Sequence, residues 1–205
     1  MLMGKNLPNI LTMSRIFAVL IFVAIATIAH QGYIADKEAI LVLRCIAVVL
    51  AMLAGLTDLL DGYLARRYHW VSDFGALMDP LADKVFVTVS MLFMVAFQLI
   101  PAWVGAMVIS REFMVTGLRM LATKHGKVIS ADKFGKLKTF LQMIMLLQAG
   151  LIWMEVFDKN MTLFGKITYS HFWIGYYWLV VLVTVGSGIN YFIKNRDLVS
   201  GKKAQ

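Results

Sequence analysis

Charge and cysteine are what this sequence has least of. Only 16% of its 205 residues are charged, 12 acidic against 20 basic, whereas 60% are hydrophobic. A soluble globular chain is typically about 45–50% apolar, and mean hydropathy here is +0.75. That balance excludes an ordinary water-soluble enzyme or binding module. Cys45 is the single cysteine, so no disulfide framework exists. Lying in an apolar run, it is expected to be a small buried hydrophobe. His30, His69, His125 and His171 are scattered without ligand spacing, which argues against a histidine metal centre. There is no internal repeat, low-complexity tract or linker, so residues 1–205 read as one domain. No small-residue cleavage site follows the first apolar stretch, so no removable signal peptide is expected. The net charge of +8 would suit nucleic acid in a polar chain. In one this apolar it reports membrane topology and contact with anionic lipid or phosphate. No nucleic-acid partner is expected.

What the sequence has in abundance is long apolar stretches. Six stand out, at about residues 10–29, 39–64, 81–99, 102–122, 137–157 and 172–193. Each is close to the ~20 residues that a helix needs to cross a bilayer, and an open sheet there would leave backbone groups unpaired. The expected fold is therefore an all-α integral membrane protein with six transmembrane helices. Leu7-Pro8-Asn9 before the first span predicts a short N-terminal interfacial segment. Basic residues are uneven between loops. Lys5, Arg15, Arg66, Arg67, Lys84, Lys124, Lys127, Lys133, Lys136, Lys138, Lys194, Arg196, Lys202 and Lys203 fall on one side, but only Lys37, Lys159 and Lys166 on the other. Positive-inside bias places both termini on the cytoplasmic side, as an even number of spans requires. Trp103, Tyr169, Trp173, Tyr176 and Trp178 lie near span ends, where an aromatic belt would sit.

The acidic residues, though few, are concentrated. Asp58 and Asp61 are three apart and continue into Gly62 and Ala65, which puts one stripe of a helix at the end of an apolar span. Asp79 and Asp83 are four apart on the next helix, and Asp79-Pro80 predicts a helix start with aspartate as N-cap. Four neighbouring carboxylates cannot all stay ionised without cations. Oxygen-only ligands favour hard Mg²⁺ or Mn²⁺, and four acids suit two ions bridging a pyrophosphate. Gly62 and Ala65 leave room for a substrate beside the helix, and Arg66 can grip a phosphate with its planar fork. Asp73 is expected to be a solvated loop charge or a helix cap.

The run from Asp58 to Asp83 reads D-x2-D-G-x2-A-R-x8-G-x3-D-x3-D without a departure. It resembles the CDP-alcohol phosphatidyltransferase family, whose pattern is long, gapped and specific. The resemblance implies a six-helix membrane fold, usually homodimeric, with two divalent cations. Asp58, Asp61 and Asp79 would hold the metals, and Asp83 would hold the second metal and accept a proton. Gly62, Ala65, Arg66, Ser72 and Gly75 match positions beside the CDP-lipid. Asn9 and Thr12, in Asn9-Ile10-Leu11-Thr12, look like the segment that helps bind the nucleotide.

A second constellation bears on the acceptor. Arg111 and Glu112 lie well inside the fourth span and must face protein rather than lipid. Arg119 follows eight residues, about two turns, later. Lys133, Lys136 and Lys138 open the fifth helix. Together they predict a basic site for a phosphorylated acceptor beside the metals. The Arg-Glu-Phe and Gly-Lys-x-Lys-Thr runs, with Asn6-Leu7-Pro8-Asn9, are similar to the branch of the family that uses CDP-diacylglycerol and sn-glycerol 3-phosphate at the cytoplasmic face of the inner membrane. Three rivals remain open on sequence. One is another acceptor such as phosphatidylglycerol, inositol phosphate or serine. The others are a cation transporter, opposed by the crowding of all four acids at one face, and an inactive scaffold.

Overall fold

The computed structural model describes residues 2–30, 34–68, 73–124, 133–155 and 163–196, with side chains described for 10, 12–30, 34–57, 78, 81–123, 134–155 and 170–196. Among these residues six helices follow in order: α1 (Leu2–His30), α2 (Lys37–Tyr68), α3 (Asp73–Ala96), α4 (Ala102–Lys124), α5 (Lys133–Trp153) and α6 (Leu163–Lys194). No strand occurs among the described residues. Each expected apolar stretch falls largely on its own helix. Among the described residues, three helices contain segments long and apolar enough to cross a membrane, Thr12–His30, Lys37–Thr57 and Ser170–Lys194.

Two compact units make up the chain, Met1–Phe93 with Gly150–Val156, and Met94–Ala149 with Phe157–Gln205. In the first, α1 packs along α2. The contact is written into spacing: α1 buries Val19, Phe22, Ala26 and Ala29, and α2 buries Ala47, Val48, Ala51 and Ala54. A small-residue stripe lets two backbones approach closely, the usual means of helix association in lipid. Asp36 caps α2, its carboxylate accepting from the Glu38 N–H at 3.0 Å. Phe93 stands edge-on to Phe22 and Trp153, with ring centroids 4.9 and 5.1 Å apart. Arg44, within α2, donates to the Trp153 carbonyl at 2.9 Å and pairs with Glu155 at 2.7 Å. It thereby satisfies the carbonyl end of α5, where a cation also meets the negative end of the helix dipole.

In the second unit, α4 packs on α6. Val104, Val108, Val115, Leu118 and Ala122 form the buried stripe of α4, against Trp173, Tyr177, Val180, Val181 and Tyr191 of α6. Trp173 donates its indole N–H to the Leu99 carbonyl at 2.7 Å. Leu99 belongs to a tight helix stop: Gln98 is left-handed (φ 57°), and the Leu99 and Gln98 N–H groups return to Met94 and Val95. Pro101 then prevents continuation.

The N-terminal segment is helical and continuous with the first span, residues 2–30 forming one helix; Pro8, in its second turn, lacks the N–H that would bond the Gly4 carbonyl. Two expectations are corrected. Asp79 does not cap α3, which begins at Asp73 and runs through Pro80. Pro80 has no N–H for the Ala76 carbonyl, but membrane helices tolerate proline where neighbouring groups satisfy the freed carbonyl. Asp73 stands at the start of this helix, as the helix-cap reading had it. Cys45 is exposed. Beside Ile46 and Val49, which are also exposed, it lies on an outward face where an apolar side chain meets lipid at no cost.

Candidate active site

The aspartate set lies in the first unit. Asp58 and Asp61 occupy successive turns near the end of α2, and Gly62, Ala65 and Arg66 continue that segment. Asp79 and Asp83 are one turn apart on α3, and residues 69–72 alone link the two helices. The side chains of Asp58, Asp61, Gly62, Ala65, Arg66, Gly75 and Asp79 lie outside the described residues, as does all of Ser72. Asp83 is described. Its carboxylate, 39% exposed, accepts from the Lys84 ammonium at 2.8 Å. It is thus open enough for a ligand or a proton. No group of three or more metal-ligating side chains is found among the described residues. The donor chemistry fits hard divalent cations: four carboxylates at three- and four-residue spacings, each pair on one helical stripe.

On α1, Thr12 is fully buried and Arg15, one turn on, is 2% exposed. Asn9 lies outside the described side chains. Both Thr12 and Arg15 are engaged with partners. Arg15 counted only as a topology charge in the sequence, yet it is among the largest fully buried side chains. Burying a guanidinium is costly unless it is paired, so this arginine is part of the packed interior around α1.

The basic set lies in the second unit, and part of it converges on one carboxylate. Glu112, 4% exposed, pairs with the buried Lys138 of α5 and with Arg111, whose Nη1 lies 3.4 Å away. The Arg111 Nη2 donates to the Ser187 hydroxyl of α6 at 3.0 Å. Two cations around one anion leave a net positive charge, and three helices are tied at that point. Arg119 donates through Nε to the Tyr191 hydroxyl at 3.1 Å, its guanidinium carbon 5.5 Å from the ring centroid. Lys136 is exposed. The side chain of Lys133 lies outside the described residues.

The expected interior placement of Arg111 and Glu112 therefore holds. Ser187 and Tyr191 were missed. The signal was available, since a hydroxyl in an apolar span needs a partner, but it is weaker than that of a charge. Trp103, at the start of α4, meets Trp178 of α6 with ring centroids 4.7 Å apart, and Trp173 stacks with Tyr176. The side chain of Tyr169 lies outside the described residues.

Comparison with known proteins matches residues 5–186 to the CDP-alcohol phosphatidyltransferase family model. A Bacillus subtilis CDP-diacylglycerol–glycerol-3-phosphate 3-phosphatidyltransferase is 38% identical over 192 residues, covering 93% of this chain and 95% of its own. The Rickettsia prowazekii protein of that name is 30% identical, covering 94% and 96%. A probable phosphatidylglycerophosphate synthase of Mycobacterium tuberculosis is 36% identical over 139 residues, covering 68% and 63%. A family of transferases embedded in membranes thus accounts for the apolar helices and for the aspartate pattern together. This chain belongs to the CDP-alcohol phosphatidyltransferase family.

Proposed function

We propose that this chain transfers the phosphatidyl group of CDP-diacylglycerol to sn-glycerol 3-phosphate, giving phosphatidylglycerophosphate and CMP. The observation that carries this reading is similarity to transferases of that name along 93% of the chain, with the aspartate pattern intact. In the reaction, the glycerol hydroxyl oxygen attacks the lipid-side β-phosphorus. A new P–O bond forms, the bond to the CMP oxygen breaks, and the hydroxyl proton passes to Asp83 as general base. Asp58, Asp61, Asp79 and Asp83 would hold two divalent cations, Mg²⁺ or Mn²⁺, which when bound offset charge on the pyrophosphate and on departing CMP. Asn9, Thr12, Gly62, Ala65, Arg66, Ser72 and Gly75 serve the CDP-lipid. Arg111, Arg119, Lys133, Lys136 and Lys138 serve the acceptor phosphate, with Glu112 holding Lys138 and Arg111 in place.

A purified enzyme given CDP-diacylglycerol and a panel of acceptors, with products identified by mass, tests the acceptor. Phosphatidylglycerophosphate is expected, and product from serine, inositol phosphate or phosphatidylglycerol in its place would refute the choice. A basic cluster supports the phosphorylated acceptor, because serine needs none.

The same proposal gives six membrane-spanning helices, a homodimer, and residues 1–205 as one catalytic domain. It places both termini and the active site on the cytoplasmic side of the inner membrane. In a Cys45→Ala background, cysteines at Lys37 or Lys159 are expected to react with an impermeant reagent added to intact cells, and cysteines at Arg67 or Lys203 to be protected. The reverse pattern would invert the orientation.

A further inference from the structure

We infer that the last turns of α6 belong to the acceptor site: Ser187, Gly188 and Tyr191 are positioning residues that pre-set the guanidinium groups of Arg111 and Arg119. The inference rests on the reading of those arginines as the acceptor's phosphate ligands. All three positions lie beyond residue 186, where the match to the family model ends.

The geometry is specific at each position. The Ser187 hydroxyl donates its proton to the Thr184 carbonyl at 2.9 Å, which turns its oxygen lone pairs toward Arg111 Nη2. Gly188 lets the stem of Arg111 lie against the helix. A Cβ added there would sit 3.1 Å from Arg111 Cγ and 3.9 Å from Nε, closer than the stem tolerates without moving. Tyr191 is 4% exposed and packs with Val115 and Leu118 of α4, flanked by Phe192. Its ring is therefore fixed, and its hydroxyl holds Arg119 by Nε.

This arrangement leaves the useful donors available. A guanidinium carries five N–H donors. Arg119 commits Nε to Tyr191, so both terminal nitrogens stay available for a bidentate contact with a phosphate. Arg111 commits one N–H of each terminal nitrogen, to Glu112 and to Ser187, and its buried Nε has no partner. Two long side chains are thus ordered before the ligand arrives, and the ordering cost does not fall on binding.

The test is steady-state kinetics of purified variants in lipid micelles. Tyr191→Phe and Ser187→Ala each remove one hydroxyl and keep the packing. Each is expected to raise KM for glycerol 3-phosphate by about 3- to 10-fold, with KM for CDP-diacylglycerol and the melting temperature close to the parent enzyme. Gly188→Ala should act in the same direction by displacing Arg111. Because the proposed action runs through the arginines, Tyr191→Phe should add nothing in an Arg119→Ala background, and Ser187→Ala nothing in an Arg111→Ala background. If Arg119→Ala raises that KM but Tyr191→Phe and Ser187→Ala leave it unchanged, the positioning role is overturned and the acceptor reading survives. Full additivity in the double variants would also overturn it. If Arg119→Ala and Arg111→Ala themselves leave glycerol 3-phosphate kinetics untouched, the acceptor reading fails, and the inference fails with it.

Discussion

Asp58→Asn or Asp79→Asn is expected to lower turnover by roughly a thousandfold or more, the scale of several kcal/mol of transition-state stabilisation supplied through a bound metal. Asparagine keeps the size of aspartate and removes one negative oxygen. A hard cation loses charge balance and a ligand, while helix packing is barely touched. The variants should therefore melt like the parent protein in detergent. Mn²⁺ binding followed by electron paramagnetic resonance should weaken in parallel, a readout independent of turnover. A folded Asp58→Asn or Asp79→Asn enzyme with most of its activity would show that these carboxylates do not hold the ions.

Glu112→Ala is expected to give the largest loss of stability. Glu112 is 4% exposed and Lys138 is 5% exposed, and Arg111 shares the same carboxylate. Deleting the anion strands two cations in a region of low polarity, a change typically worth about 3–5 kcal/mol. Glu112→Gln should cost less, since the amide oxygen still accepts one hydrogen bond. Pairing Glu112→Ala with Lys138→Met should restore part of the loss, because a buried ion pair can be exchanged for apolar packing at little net cost. Detergent melting curves of the three variants check this order. An unchanged melt for Glu112→Ala would mean that the carboxylate carries no structural charge balance.

How much of this was legible in the sequence depends on how local each feature is. The aspartates were visible because residues at spacings of three and four meet on one helix, with no tertiary knowledge required. The helices were visible because bilayer thickness fixes the length of an apolar run. Their ends were harder. The third apolar stretch begins near Leu81 because apolar counting stops at Asp79 and Asp73, yet backbone bonding carries α3 back to Asp73. The fifth stretch runs on to Phe157 in the sequence, but α5 ends at Trp153, with Glu155 left-handed (φ 56°) just beyond it. Contacts distant in the chain were not legible. Ser187 and Tyr191 are unremarkable in an apolar run until partners 76 and 72 residues away are known. Arg44 likewise meets a carbonyl 109 residues away. Nothing in its own segment points there.

Release of CMP by the purified protein tests the central claim most directly. With CDP-diacylglycerol in micelles, CMP should appear only when both glycerol 3-phosphate and Mg²⁺ or Mn²⁺ are present. It should stop with a chelator, resume when the cation is restored, and match phosphatidylglycerophosphate mole for mole. CMP formed at the same rate without glycerol 3-phosphate, or in the presence of excess chelator, would contradict a metal-dependent transfer to that acceptor.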